Sequence, residues 1–576
     1  MDYFGILVLV VSFVVLLVLG VPIAFSIGIS GILTMLVSID AMPAFTTFAH
    51  RMATGLDSFT LLAIPFFILA GNIMNHGGIA LRLIDFARVI VGRFPGGLAF
   101  VNILANMLFG AISGSAAASA SAIGTIMTPE MKREGYDKNF SAALNITSST
   151  TGLSIPPSNI LIVYSLASGG VSIAALFIAG YLPGILTGSS LMLVAALFAI
   201  RKKYAVTKEH SVADIAVALS TLLIIVAYAY IYFNTGFHWV FLIVFWFWLR
   251  SVLASINPRI EKFPWDVAAL TLTVIVSAVI QFKAFPLWMA AAVIMGVALL
   301  LLKRKGFLTI LIQTVLMGIA INLYSPNHII TSSVLGASAI LYAFIRFTGK
   351  DELHTYLKGT VKLFSAIPSL FLLVVVIGGI IAGIFTATEA SAVAVLYAFV
   401  LAFIYKEIKI KDLPEILINS VRTTSIVLLL VAASIGLSWI MSFENIPQTV
   451  SDGLLTISNN PLIILLIINL ILLVVGTFMD MTPAVLIFTP IFLPIVTAQL
   501  GLDPIHFGII MVLNLSVGLC TPPVGSVLFI GCSVANVPIA RVIKPLLPMF
   551  IAMIVSLLLV TYIPEISLWL PGLFGF

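Results

Sequence analysis

Charge is scarce in this 576-residue sequence: Asp, Glu, Lys and Arg together make up 9% of it, against about 25% in an ordinary soluble chain. With 61% hydrophobic residues and a mean hydropathy of +1.21, that scarcity excludes a soluble fold. Cysteine is nearly missing. The two present, Cys520 and Cys532, lie in apolar sequence without CxxC spacing, which excludes a disulfide framework and a redox pair and leaves them as small buried residues. Histidine is sparse and scattered (His50, His76, His210, His238, His328, His354, His506) with no metal-like spacing. There is no HExxH, no P-loop glycine–lysine motif and no nucleotide-binding domain. The chain is therefore not read as an enzyme, and no organic cofactor is expected.

What the sequence does contain is apolar runs of about 20 residues, the length that spans a bilayer core, recurring from end to end. The net charge of +6 comes from Lys and Arg in short loops, which fits cytoplasmic loops of a multi-pass inner-membrane protein better than nucleic-acid binding. The first run, Phe4 to Leu19, lacks a basic n-region and leads into Gly20-Val21-Pro22, so it is read as a retained span. Further runs include 22–39, 56–75, 97–128, 139–165, 172–200, 363–384, 387–405, 421–443, 461–498, 505–535 and 545–563, with six short segments between 213 and 347.

Runs 97–128 and 461–498 are too long for one span, and turn residues interrupt each: Ser113-Gly114-Ser115 and Asp480-Met481-Thr482-Pro483. Both are read as re-entrant hairpins, tolerated where protein or a cavity covers the tip. Basic residues support this. With non-crossing hairpins, Arg82/Arg88/Arg93, Lys132/Arg133, Arg201/Lys202/Lys203, Arg259/Lys262, Lys303/Arg304/Lys305, Arg346/Lys350/Lys358, Lys406/Lys409/Lys411 and Arg541/Lys544 all fall in one set of alternate connections. That set is expected in the cytoplasm, which puts both termini in the periplasm.

An internal repeat has a register of 366 residues. Pro95 pairs with Pro461, Gly110 with Gly476, Gly135 with Gly501 and Asp137 with Asp503. Gly152-Leu153 pairs with Gly518-Leu519, and Pro156-Pro157 with Pro522-Pro523. Composition bias produces scattered Leu and Ala matches, rarely aligned Gly, Pro and Asp. Eleven crossings separate the two hairpins in this count, and an odd number inverts the second copy. The expected fold is an all-α polytopic membrane protein of two inverted repeats, 1–205 and 360–576, each with a hairpin and a broken helix, the architecture of secondary transporters. Residues 212–350 have no partner in the repeat and read as inserted transmembrane segments; their aromatic cluster Phe245-Trp246-Phe247-Trp248 reads as lipid- or subunit-facing.

After each hairpin comes a span carrying a double proline, Asn145 to Asn159 and Asn514 to Gly525. Two successive prolines must unwind a helix. Carbonyls freed there need a partner, and a dehydrated cation is a good one, with Na⁺ the natural candidate. The candidate sodium ligands are Ser113, Gly114, Gly152, Ser154 and Pro156, then Gly476, Thr477, Asp480, Asn514, Gly518, Thr521 and Pro522. Hairpin tips supply the opposite pole: a helix beginning after a small-residue tip presents free N–H groups and can hold a carboxylate. Candidate contacts for a small organic anion are Ser113, Ser115, Ser158, Asn159 and Asp480. The plain alternative for the small-residue tract is tight helix packing. Asp480 is read as a sodium- or tip-organising carboxylate, with N-capping of the returning helix as its alternative. Glu389 is a coupling acid or a structural cap, and Asp137 and Asp503 are helix caps.

At these residues the sequence resembles the large membrane subunit of tripartite ATP-independent periplasmic (TRAP) transporters. The matching stretches are Gly20-Val21-Pro22-Ile23-Ala24-Phe25, Ile64-Pro65-Phe66-Phe67-Ile68-Leu69-Ala70-Gly71, Ser113-Gly114-Ser115, Ile155-Pro156-Pro157-Ser158, Gly378-Gly379 through Glu389-Ala390, Asp503-Pro504 through Asn514, and Thr521-Pro522-Pro523-Val524-Gly525. The resemblance implies an elevator-type, sodium-driven importer whose carboxylate or sialic-acid-like substrate arrives on a periplasmic binding protein. It also implies a small membrane subunit as partner. Against that family pattern residues 212–350 read as an unusual insertion, either replacing the small subunit or enlarging the scaffold. A binding-protein-independent carboxylate or ion transporter of similar architecture is the alternative, and a membrane scaffold with a silent core is a third.

Overall fold

The computed structural model describes residues 3–92, 94, 96–202, 350–522 and 525–576, with 350–365 as backbone alone. The six central segments, the aromatic cluster at 245–248, Arg93, Pro95 and Pro523 lie outside the described residues. Two compact units divide the chain. Met1–Thr207 and Phe364–Phe576 form one, and Lys208–Leu363 the other.

Every regular element among the described residues is a helix. The first half supplies α1 (Tyr3–Val18), α2 (Ile23–Ser38), α3 (Ala41–Leu56), α4 (Ala63–His76), α5 (Ile79–Val91), α6 (Gly97–Ser113), α7 (Ala116–Arg133), α8 (Lys138–Thr151), α9 (Asn159–Ala167) and α10 (Ile173–Lys202). The second supplies α11 (Lys350–Ile381), α12 (Ala387–Ile404), α13 (Leu413–Phe443), α14 (Ile446–Ile457), α15 (Pro461–Phe478), α16 (Met481–Pro494), α17 (Pro504–Gly518), α18 (Ser526–Ala535), α19 (Ile539–Tyr562) and α20 (Glu565–Leu573). Seven helices among the described residues are long and apolar enough to cross a membrane. Their outward faces carry large apolar side chains, with Leu193 64% and Val474 59% exposed, a surface that lipid rather than water would cover.

Both long apolar runs are broken where turn residues interrupt them. The first becomes α6 and α7, joined at Gly114, whose φ of 62° is a left-handed conformation that a side chain would resist. The second becomes α15 and α16, joined at Met479 and Asp480. Both double-proline spans are also broken: α8 ends at Thr151 and α9 begins at Asn159, with a cis peptide between Pro156 and Pro157; α17 ends at Gly518 and α18 begins at Ser526. Asp137 and Asp503 cap the incoming helices, accepting from Phe140 N at 2.8 Å and Ile505 N at 2.7 Å. Each thereby satisfies one of the N–H groups that a helix start leaves without an intrahelical partner.

Four short or polar-faced helices do not stand out as apolar runs: α3, α5, α14 and α20. The first three are amphipathic, burying one stripe of apolar residues while the opposite face stays polar.

Packing follows the 366-residue register at many points. Helix α10 starts at Ile173 and α19 at Ile539. Helix α8 packs on α6 and α19, while α17 packs on α15 and α10. The tips of the two halves also exchange partners, α18 against α7 and α9 against α16. Cross-half bonds run from Tyr164 Oη to the Pro504 carbonyl (2.6 Å) and from Lys138 Nζ to the Asn536 carbonyl (2.9 Å). Ser190 on α10 and Ser556 on α19 meet hydroxyl to hydroxyl at 2.6 Å, and they are 366 residues apart.

Candidate functional site

Each broken span lies directly against the hairpin before it, and glycine makes the approach possible. A Cβ on Gly110 would sit 2.8 Å from the Gly152 Cα, and a Cβ on Gly518 would sit 2.6 Å from the Gly476 Cα. Both separations are shorter than real Cβ contacts tolerate, so backbone meets backbone at the two places where a span begins to unwind. At the first tip, a Cβ on Gly114 would lie 3.0 Å from Asn159 Nδ2. The turn therefore rests on the residue that restarts the broken helix. Ser113 and Ser115 flank it, and Ser115 Oγ caps α7 by accepting from Ala118 N at 3.2 Å. The structure thus brings Ser113, Gly114, Ser115 and Asn159 into one cluster, with Gly110 and Gly152 one turn away.

A buried amide network, which the motifs did not reveal, locks this geometry. Asn106 Nδ2 reaches Asn102 Oδ1 (2.8 Å), Asn145 Oδ1 (3.0 Å) and Ser148 Oγ (2.9 Å). Ser119 Oγ donates to Asn106 Oδ1 at 2.7 Å, and Asn145 Nδ2 donates to the Ala120 carbonyl at 2.8 Å. One side chain on α6 therefore ties both arms of the hairpin to α8. The only sequence signal was Asn102 and Asn106 four residues apart on an otherwise apolar helix, a spacing that puts both on one face. In the second half the equivalent tie is shorter: Asn514 Nδ2 donates to the Asn469 carbonyl (2.9 Å) and to Asn469 Oδ1 (2.7 Å).

Several candidate oxygens stay without a partner among the described residues. Ser158 Oγ at the restart of the first broken span, Ser154 Oγ within its break and Asn514 Oδ1 on α17 are all buried and unbonded. Buried polar atoms are nearly always paired, and leaving one unpaired costs about 1–3 kcal/mol. Acceptors that the protein leaves open at one helix break and one turn before the other fit a ligand that supplies the missing interaction, and uncharged hydroxyl and amide oxygens suit a hard cation.

The remaining candidates are placed differently from one another. Thr521 is half-buried, and its hydroxyl donates to the Val517 carbonyl at 2.8 Å, leaving its lone pairs open. Thr477 donates to the Val474 carbonyl at 2.7 Å near the second tip. Asp480 is exposed and occupies the N-cap of α16, where Oδ1 accepts from Met481 N at 2.9 Å. Glu389 closes a capping box with Thr386, accepting from its N at 2.8 Å and its hydroxyl at 2.9 Å. Both acids therefore carry structural capping bonds at helix starts, whatever else they do. Ser154 lines a small cavity that none of the hairpin residues shares.

Residues 10–341 and 345–566 match the family described as tripartite ATP-independent periplasmic transporter, DctM component. The chain is 43% identical to the uncharacterized protein YgiK of Salmonella typhimurium, over 100% of both chains. It is 30% identical to the C4-dicarboxylate TRAP transporter large permease protein DctM of Rhodobacter capsulatus, over 98% of both. It is also 31% identical to the isethionate TRAP transporter permease protein DctMQ of Oleidesulfovibrio alaskensis, over 97% of this chain and 65% of that one.

Proposed function

The chain belongs to the DctM components of the tripartite ATP-independent periplasmic transporters, and from that premise we propose that it is the large permease of a sodium-coupled importer of a small organic anion. It is a multi-pass inner-membrane transport protein and not an enzyme. A periplasmic binding protein delivers the anion in this proposal, and a separate small membrane subunit completes the permease, since the chain spans 65% of the longer DctMQ relative. The relatives' names point to organic acids, C4-dicarboxylates and isethionate among them, as the class to try first. Sialic-acid-like anions are the next class to try.

The observation that carries the sodium part is a pair of open buried oxygens, Ser158 Oγ at the first break and Asn514 Oδ1 one turn before the second. Gly114, Gly152, Pro156, Thr521 and Pro522 supply backbone outside the helices, and Gly476 and Gly518 belong to the last turns of α15 and α17. In this arrangement the ions draw each hairpin onto its broken span. The anion lies between the tips, held by Ser113, Ser115, Asn159 and the start of α16 at Asp480. The shared register, the matched glycine contacts and the bond between Ser190 and Ser556 support two repeats; their inversion, periplasmic termini and an elevator movement against the outer helices complete the proposal.

Reconstitution of the chain in liposomes with its small subunit and its binding protein tests this. The probe is whichever organic anion raises the melting temperature of that binding protein. Uptake should require both an inward sodium gradient and the binding protein. Uptake indifferent to sodium overturns the coupling, and uptake without the binding protein favours a stand-alone transporter.

A further inference from the structure

A cavity of about 10 Å³ lies between the two broken spans and the long helices α10 and α19, room for one water-sized guest. Five hydroxyl residues line it: Thr150, Thr151, Ser154, Thr187 and Ser516. All are buried. Four of the hydroxyl protons are already committed to carbonyls one turn back: Thr150 to Thr147 (2.9 Å), Thr151 to Ser148 (2.6 Å), Thr187 to Pro183 (2.9 Å) and Ser516 to Val512 (2.7 Å). Their oxygens thus meet the cavity as acceptors, and the fifth, Ser154 Oγ, has no protein partner among the described residues.

The cavity's position follows the 366-residue register. Thr150 corresponds to Ser516, Thr151 to Val517 and Thr187 to Met553, and all six line it. It therefore lies on the axis that relates the two halves. One asymmetry bears on its space: Ser154 corresponds to Cys520, and Cys520 Sγ fills its own side, 3.9 Å from Thr150 Oγ1 and 3.6 Å from the Ile146 carbonyl. Sulfur is larger than oxygen, so the serine side keeps the space that the cysteine side closes.

Charge decides what fills it. The lining comes from the last turns of α8, ending at Thr151, and of α17, ending at Gly518. A helix C-terminus carries roughly half a negative charge, so two of them converge here with no cationic side chain in the lining. We propose that this axial cavity is a binding site for one alkali cation, Na⁺ by size, held by hydroxyl oxygens between the two helix C-termini and separate from the sites at the hairpin tips. Neutral oxygen donors without thiolate, imidazole or carboxylate exclude a transition metal and leave a divalent ion undercompensated. The cation here neutralises the paired dipoles and holds the two broken spans together at the axis.

Equilibrium dialysis with radioactive ²²Na⁺ on the purified full chain in nanodiscs tests the site. Ser154→Cys copies the residue that already packs at position 520, and Thr187→Val removes an oxygen from α10, outside both breaks. Each should bind one Na⁺ fewer per chain than the wild type at saturation. A loss in either folded variant supports the site; equal counts in the wild type and both variants overturn it and leave the cavity to a water molecule. This readout is independent of transport: sodium-indifferent uptake would sink the coupling proposed above and leave the difference in bound ions standing.

Discussion

Ser190 and Ser556 share a 2.6 Å hydrogen bond and lie 366 residues apart in the chain. On the proposed two-fold relation of the halves, equivalent residues touch only at the axis itself, which would run along α10 and α19 at this bond. The Ser190→Cys/Ser556→Cys double variant, made in a background with Cys520 and Cys532 replaced by alanine, should form an intramolecular disulfide under mild oxidation. Mass spectrometry of the digested protein would show the linked peptides; their absence would remove the axis from this position.

Gly110 and Gly152, and likewise Gly476 and Gly518, pack backbone on backbone. Gly152→Ala and Gly518→Ala should each lower stability by about 1–3 kcal/mol, the cost of overpacking a filled interior. Gly572→Ala adds a methyl into open space on α20 and should change stability by less than about 0.5 kcal/mol. Thermal melting in detergent compares them, and equal behaviour of all three would contradict the close approach.

The Asn106 amide joins three side chains across α6 and α8. Asn106→Leu leaves the buried Asn145 Oδ1 without its donor and takes one partner each from Ser148 and Ser119, and a loss of about 1–3 kcal/mol is expected from the unpaired polar group. Asn469→Leu removes the shorter tie of the second half and should cost less. Melting temperatures of the two variants give the order, and the reverse order would count against the network as the main lock on the hairpins.

Ser158 separates a structural role from a binding role. A serine with an idle buried hydroxyl should become slightly more stable as alanine, by up to about 1–3 kcal/mol, because the unpaired group is gone. If that oxygen holds sodium, Ser158→Ala keeps that stability in sodium-free buffer and raises the sodium concentration for half-maximal uptake at least about tenfold, about 1.4 kcal/mol of lost binding. Unchanged sodium dependence would take Ser158 out of the site.

Local chemistry made the hairpins and breaks legible. Gly114 at a turn, two successive prolines in a span, and Asp137 and Asp503 before helix starts each act through their own backbone or the next few residues, so their effect is visible without a partner. The amphipathic helices α3, α5 and α14 were not, because polar residues on one face dilute the apolar run while the buried stripe keeps its spacing. Glu389 and Asp480 show the opposite difficulty. An acid in apolar sequence announces a cost, and both offset part of it through helix-start bonds at Thr386 and Met481, a use that composition does not distinguish from ion binding.

By itself the sequence determined the membrane class, the family, the 366-residue register and the places where helices must stop, because hydropathy and the φ restrictions of glycine and proline are properties of single residues and their neighbours. Only the tertiary structure decided which oxygens are left open. Whether Ser154, Ser158 or Asn514 is satisfied depends on residues tens or hundreds of positions away. So does the Ser190 bond to Ser556, and so does the axial cavity, lined by a serine whose counterpart is Cys520. Partnership is a property of packing, and packing brings residues together without regard to their separation along the chain.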